Sequence, residues 1–277
     1  VVSRIIFSHH LFSWSGDAAY FDFYERALYN HILASQNPDD GMVCYFVPLE
    51  SGSEKVFSTP FDAFWCCVGT GFENHTKYAE NVFFKSNDGG LFVNLFIPTA
   101  LEWKEKGMNI RMETKFPEEE SISLKFEGSK QKFPIHIRYP KWTENISIEV
   151  NGIAKEVKGK PGEYFVLNEE WGTGVEMTIR MPMSVYTESM PDNANRIGVF
   201  YGPILLSASL GKEKPEVYDL PVFVGAKEDV AANIAKKGDG LLEFTTQDMS
   251  TRPISFMPLY AIHGQKHAVY FDVFSPS

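Results

Sequence analysis

Three segments decide the fold: "MNIRMET" (Met108–Thr114), "SISLKFE" (Ser121–Glu127) and "PIHIRY" (Pro134–Tyr139) each alternate apolar and polar residues. A period of two places the apolar side chains on one face of an extended strand, whereas a helix would space them three and four apart. The pattern continues outward. "ISIEVNG" follows from Ile146, and "VNGI" (Val150–Ile153) carries the Asn-Gly pair that closes a two-residue hairpin. "EYFVL", "VEMTIRMPM", "RIGVFYGPILLSAS", "LPVFVG", "PISFMPLYAI" and "HAVYFDVF" extend it to the end of the chain. Upstream, "GLFVNLFIP" reads as a nearly continuous apolar strand. Short strands at spacings of about ten residues, punctuated by Gly, Pro and Asn-Gly, predict antiparallel β-sandwiches. Residues 89–277 exceed the roughly 100 residues of one sandwich. They divide at Met190-Pro191-Asp192 into sandwiches over 89–190 and 191–277. "GAKEDVAANIAKKGDG" (Gly225–Gly240) reads as a charged connector with one short helix.

Residues 1–88 have a different texture. "DAAYFDFYERALYNHILAS" (Asp17–Ser35) sets Phe21, Tyr24, Leu28 and Ile32 on one helical stripe, with "QNPDDG" as its stop. "GFENHTKYAENVFF" (Gly71–Phe84) predicts a shorter helix with Phe72, Thr76, Ala79 and Phe83 on one face. The segment between them, Gly41–Cys67, shows no helical period.

The 277 residues are 44% hydrophobic, enough to bury more than one core. A net charge of −10 argues against nucleic acid as a partner, because phosphates would be repelled. No apolar run approaches the roughly 18 residues of a membrane span, so no membrane partner is expected. The sequence opens on Val1 without an initiator Met or a readable signal peptide, which reads as an interior start and leaves the compartment open.

Two of the three cysteines are neighbours, in "FDAFWCCVGTGFENHTKY" (Phe61–Tyr78). Three readings stand side by side. Free Cys is among the most buried residue types, so Cys66 and Cys67 could be packing beside Phe64 and Trp65. Two thiolates could share a soft metal, although the close set lacks the two-pronged spacing of ordinary zinc modules. A catalytic thiol would need a base or a metal to lower its pKa. Tyr45, on the loop leading toward the pair, is a candidate for an active-site contact, with strand packing as the alternative. Cys44 reads as a packed thiol, His9-His10 as too divergent to share an ion, and His31 as a core or rim histidine. Glu73 and Asn74 read as a helix start, and Trp142 and Trp171 as ligand-stacking platforms or core.

"HLFSWSGDAAYFDFYERALYNHILASQNPDDGMVCYFVPL" (His10–Leu49) and "FWCCVGTGFENHTKYAE" (Phe64–Glu80) resemble glycoside hydrolase family 127 and its sister family 146, which include β-L-arabinofuranosidases. "RIGVFYGPILLSA" (Arg196–Ala208) and "FMPLYAIHGQKHAVYFDVF" (Phe256–Phe274) are similar to the same family. The resemblance implies a mixed, mainly β fold: residues 1–88 as the C-terminal part of an (α/α)6 barrel, then the two sandwiches. It implies a retaining glycosidase in which Cys66 is the nucleophile and Cys66 and Cys67 bind Zn2+. The remaining zinc ligands and a glutamate acid/base belong upstream, and "VVSRIIFSHH" (Val1–His10) holds neither Glu nor Cys. The expectation is therefore a portion of the enzyme, inactive alone, with Zn2+ expected in the intact family enzyme and not in this chain by itself, a carbohydrate substrate, and self-association through an exposed barrel face. The rival reading is a non-catalytic carbohydrate-binding or structural β-sandwich module.

Overall fold

The computed structural model describes residues 2–238 and 242–275. The chain is mainly β with few helices, and it divides into two compact units that each draw on separate stretches of sequence.

One unit combines Ser3–Glu25 with His75–Met183. It contains most of α1 (Val2–Ser15) and the start of α2 (Ala19–Ala27). Its strands form two sheets. The first has the order β1 (Phe83–Lys85), β2 (Leu91–Val93), β6 (Gln131–Tyr139), β9 (Glu163–Trp171). The second runs β3 (Thr99–Trp103), β4 (Met108–Thr114), β5 (Ser121–Gly128), β10 (Val175–Arg180), β7 (Ser147–Val150), β8 (Ile153–Lys155). Alternation does what the sequence predicts: Met108, Ile110 and Met112 of β4 are buried while Asn109, Arg111 and Glu113 face out. Trp171 stacks on Phe126 at 4.7 Å and Trp103 meets Phe133 edge-on at 5.4 Å, so the inner faces of the two sheets interdigitate. Asn151 (φ 50°) and Gly152 (φ 75°) make the β7–β8 turn, the left-handed pair that a tight hairpin demands. The pairing of β2 with β6 is parallel, inside an otherwise antiparallel arrangement.

The other unit is built mainly from Arg26–Asn74 and Ser184–Ser277. Its sheet runs β14 (Phe223–Val224), β19 (Phe271–Phe274), β12 (Arg196–Tyr201), β13 (Ile204–Gly211), β17 (Ser255–Pro258), β16 (Phe244–Thr246), β15 (Ile234–Lys236). Two more strands join it, β11 (Val185–Ser189) on β12 and β18 (Lys266–Ala268) on β13. The helical segment lies on this sheet through Ala34, Phe200, Leu205, Leu259 and Val269. The Asn30 side chain accepts from Leu205 N–H at 2.6 Å and donates to Pro203 C=O at 2.7 Å, which clips the helix to the β12–β13 turn.

Three expectations need correction. The helix from Asp17 does not stay α: after Ala27 it becomes a π-turn (Leu28–Ile32) and then a 3-10 turn (Leu33–Ser35), although Phe21, Tyr24, Leu28 and Ile32 are all buried as the stripe predicted. The second helix, α3 (Cys66–His75), starts and ends earlier than the apolar pattern suggested. Phe83 and Phe84 are drawn instead into the β1–β2 hairpin, because the Ser86–Gly90 turn reverses the chain there. The charged connector holds a 3-10 turn (Lys227–Asp229) and strand β15, and its residues 239 and 240 lie outside the described residues. The α-helices of the described residues make up only part of the barrel that the resemblance implies. None of them is long and apolar enough to cross a membrane.

Candidate functional site around the cysteine pair

The site grows from a contact between α3 and the loop before it. Val43 is fixed by a bridge to Gln36 and by two hydrogen bonds with Ser58: the Val43 N–H donates to Ser58 Oγ, and the Ser58 N–H donates to the Val43 carbonyl. Gly71 of α3 sits so close that a Cβ there would lie 2.9 Å from a Val43 methyl. The next residue, Cys44, is buried and bridges Phe57, and burial pushes its thiol up to about 11. Extended backbone alternates its side chains, so Tyr45 turns the opposite way, toward solvent and the start of α3.

There it meets both candidate cysteines. Cys66 and Cys67 form the first turn of α3, with Cys66 exposed, Cys67 half-buried and the two sulfurs 3.8 Å apart. Thr70 Oγ1 donates to the carbonyls of both, at 3.3 Å each. Burial, then the Cys66 thiol, pushes the Cys67 thiol above its ordinary range; the positive end of the helix acts in the opposite sense on a thiolate there. The Tyr45 phenol is also pushed up, first by Cys67 and then by Cys66. Trp65, which the sequence reading treated as packing, stands edge-on to Tyr45 at 5.7 Å and completes an aromatic rim. The structure thus brings Tyr45, Cys66 and Cys67 together.

The pair meets part of the requirement for zinc. A tetrahedral ion with metal–sulfur bonds of about 2.3 Å sets two sulfurs about 3.8 Å apart, which is the spacing found. Two sulfurs supply half of a four-ligand shell. Among the described residues, no group of three or more His, Cys, Asp and Glu is placed to hold a metal ion.

The other candidates fall elsewhere. Glu73 is exposed in the second half of α3 and cannot cap its start, because the helix begins at Cys66; that expectation is overturned. Asn74 is buried. His9 Nδ1 is 3.0 Å from Asn81 Oδ1, and the His9 and His10 rings stand at 85° to each other. His31 is exposed at the rim. Trp171 is fully buried and donates to Phe133 C=O at 2.8 Å, so it serves the core, while half-buried Trp142 donates to Glu25 Oε2 at 2.8 Å and stacks on Phe116.

This arrangement of a helical part and β-sheets is shared with solved glycoside hydrolases. A solved structure described as a glycoside hydrolase is similar over 98% of this chain and 51% of its own, with 18% identity and a TM-score of 0.78. The GH127 β-arabinofuranosidase BT3674 is similar over 99% and 49%, with 20% identity and a TM-score of 0.78. A GH127 β-L-arabinofuranosidase from Geobacillus stearothermophilus T6 is similar over 98% and 49%, with 19% identity and a TM-score of 0.76. The chain spans about half the length of these structures. No curated protein matches it by sequence. The family model of the β-L-arabinofuranosidase GH127 catalytic domain matches residues 1–80, and that of the GH127 middle domain matches residues 90–183. Together they span well over half of the sequence, and the chain belongs to glycoside hydrolase family 127.

Proposed function

We propose that this chain is part of a retaining glycoside hydrolase acting on β-L-arabinofuranosides of plant-derived glycans, with Cys66 as nucleophile and Cys66 and Cys67 as zinc ligands. One observation carries the reading: two sulfurs 3.8 Å apart at a helix start, that of Cys66 exposed, with a tyrosine hydroxyl beside them. A thiol attacks only as thiolate, and bound zinc would hold both sulfurs in that form at neutral pH. Cys66, the more exposed, takes the role of attacking the anomeric carbon, and Tyr45 that of holding a sugar hydroxyl. Retention also needs a carboxylic acid on the opposite face of the sugar, and zinc needs two further ligands. In this proposal both come from other parts of the intact enzyme, and the 277 residues alone do not turn over substrate.

Two measurements test this. An electrophilic L-arabinofuranosyl haloacetamide should label Cys66 ahead of Cys67 and Cys44, read by peptide mass spectrometry. Labelling that ignores Cys66, as the non-catalytic rival expects, would sink the nucleophile assignment. Hydrolysis of an aryl β-L-arabinofuranoside by the chain alone, abolished by Cys66→Ser, would keep the nucleophile and overturn the inactivity.

A further inference from the structure

With Trp171 in the core and half-buried Trp142 bonded to Glu25, the exposed tryptophan of the Ser3–Glu25/His75–Met183 unit is Trp14, in the last turn of α1 with 81% of its surface open. It lines a cleft of about 460 Å³ between the end of α1 and the β1–β2 turn. The cleft floor is aromatic: Phe92 packs edge-on against Phe12 at 5.3 Å, and the His136 imidazole stacks on Phe92 at 4.4 Å. The turn contributes Asn87 and Asp88. Asp88 is held in place by the Ser86 hydroxyl, by Gly90 N–H at 3.3 Å and by His136 Nε2 at 3.0 Å. Burial works to raise its carboxyl, but these donors outweigh burial and keep it below the usual carboxylate range. A carboxylate has about four acceptor sites, so a fixed Asp88 with half its side chain open retains capacity for a ligand. Lys85, also on the lining, pairs with Glu105, so the cleft presents no unpaired lysine to an anion.

We propose that this cleft is a binding site for a neutral saccharide, separate from the chemistry at Cys66. The apolar C–H face of a sugar ring lies on the Trp14 indole, and its hydroxyls donate to Asp88 and bond to the Asn87 amide. An electron-rich ring face attracts the weakly positive C–H hydrogens of a sugar. A fixed carboxylate with an open acceptor site takes a sugar hydroxyl in a charge-assisted hydrogen bond. The volume lies within the roughly 300–1,000 Å³ of small-molecule sites, room for a short oligosaccharide. Phosphate and other anions meet Asp88 and are disfavoured. Every residue used here belongs to one compact unit, and none belongs to the cysteine pair.

Calorimetric titration of the 277-residue chain with arabinotriose, xylotriose and galactotriose tests the proposal. At least one triose should bind saturably, with a Kd on the order of 1 mM or tighter. Trp14→Ala should weaken it by about tenfold or more, Trp14→Phe should retain most of it, and Cys66→Ala should leave it unchanged. The melting temperature of Trp14→Ala should match the parent, since the side chain is exposed. Asp88→Asn should also weaken binding; because it loosens the turn, Asn87→Ala serves as a second variant that leaves those contacts intact. The proposal is overturned if no triose binds, if Trp14→Ala binds as well as the parent, or if inorganic phosphate displaces the sugar. Loss of binding in Cys66→Ala with none in Trp14→Ala would move the sugar to the cysteine pair. Cysteine labelling in turn reports nothing on Trp14, so the two readings fail independently.

Discussion

Gly69 and Gly71 stand two residues apart in α3, yet their surroundings differ. A Cβ on Gly69 would meet nothing within 4 Å, whereas one on Gly71 would meet Val43 at 2.9 Å from Cγ2 and 3.2 Å from Cβ. Gly69→Ala should therefore stabilise the chain by ~0.5–1 kcal/mol, the helix-propensity gain alone. Gly71→Ala has the same gain but forces a stiff, buried valine aside, at a cost of about 1–3 kcal/mol, so its net effect should be destabilising. Urea midpoints for the two variants should move in opposite directions; a shared direction would mean that Val43 yields freely. The same contact explains what the sequence hid. The cysteines were legible through their motif, but the position of Tyr45 beside them depends on Val43 seating against Gly71, a long-range contact with no local pattern. Glu73 was misplaced because Trp65 precedes the helix where a Ser, Thr, Asp or Asn would have marked its start.

Elements were legible where their faces differ in polarity. β4, β5 and β10 bury alternate residues as their sequences suggest, and the Asn151-Gly152 turn falls where expected. Pairing was less legible, since alternation identifies a face and not a neighbour; the parallel β2–β6 contact carries no sequence mark. Arg138 of β6 is the clearest case. Alternation assigns it to the polar face, yet it is fully buried because the start of α2 covers that face. Its guanidinium donates to Asp22 at 2.8 Å, Glu25 at 2.5 Å and Asn94 C=O at 2.7 Å. Arg138→Met would leave two carboxylates with little solvent and no cation, a loss of ~3–5 kcal/mol. Adding Asp22→Asn and Glu25→Gln should recover much of that loss, because no buried charge then remains. Denaturant unfolding of the single and triple variants measures both. A single variant within about 1 kcal/mol of the parent would show that the cluster does not secure α2.

At the scale of the molecule, the mainly β character was readable from composition and period, while the assembly of each compact unit from separate stretches was not, because alternation and turn residues say nothing about which distant segments meet. The same scale shows an apolar surface on one unit. Phe46, Val56, Phe61 and Phe64 are 75%, 68%, 81% and 85% exposed, and Trp65 and Phe72 add to them, all within the segment that frames the cysteine pair. Exposed apolar surface of this kind tends to be covered by a partner, at a gain of roughly 25 cal/mol per Å² removed from water. With no other protein present, the available cover is a second copy, so we propose that the chain self-associates through this surface. In light scattering coupled to size exclusion, the mass should rise above 31.4 kDa as concentration increases. Lys in place of Phe46, Phe61 and Phe64 together should return it to the monomer, since each substitution removes a large exposed ring and adds charge without disturbing a buried contact. The effect should persist in high salt, because burial of apolar surface is not screened. A parent chain that stays monomeric across the concentration range, or a triple variant that associates as the parent does, would show that this surface does not drive assembly.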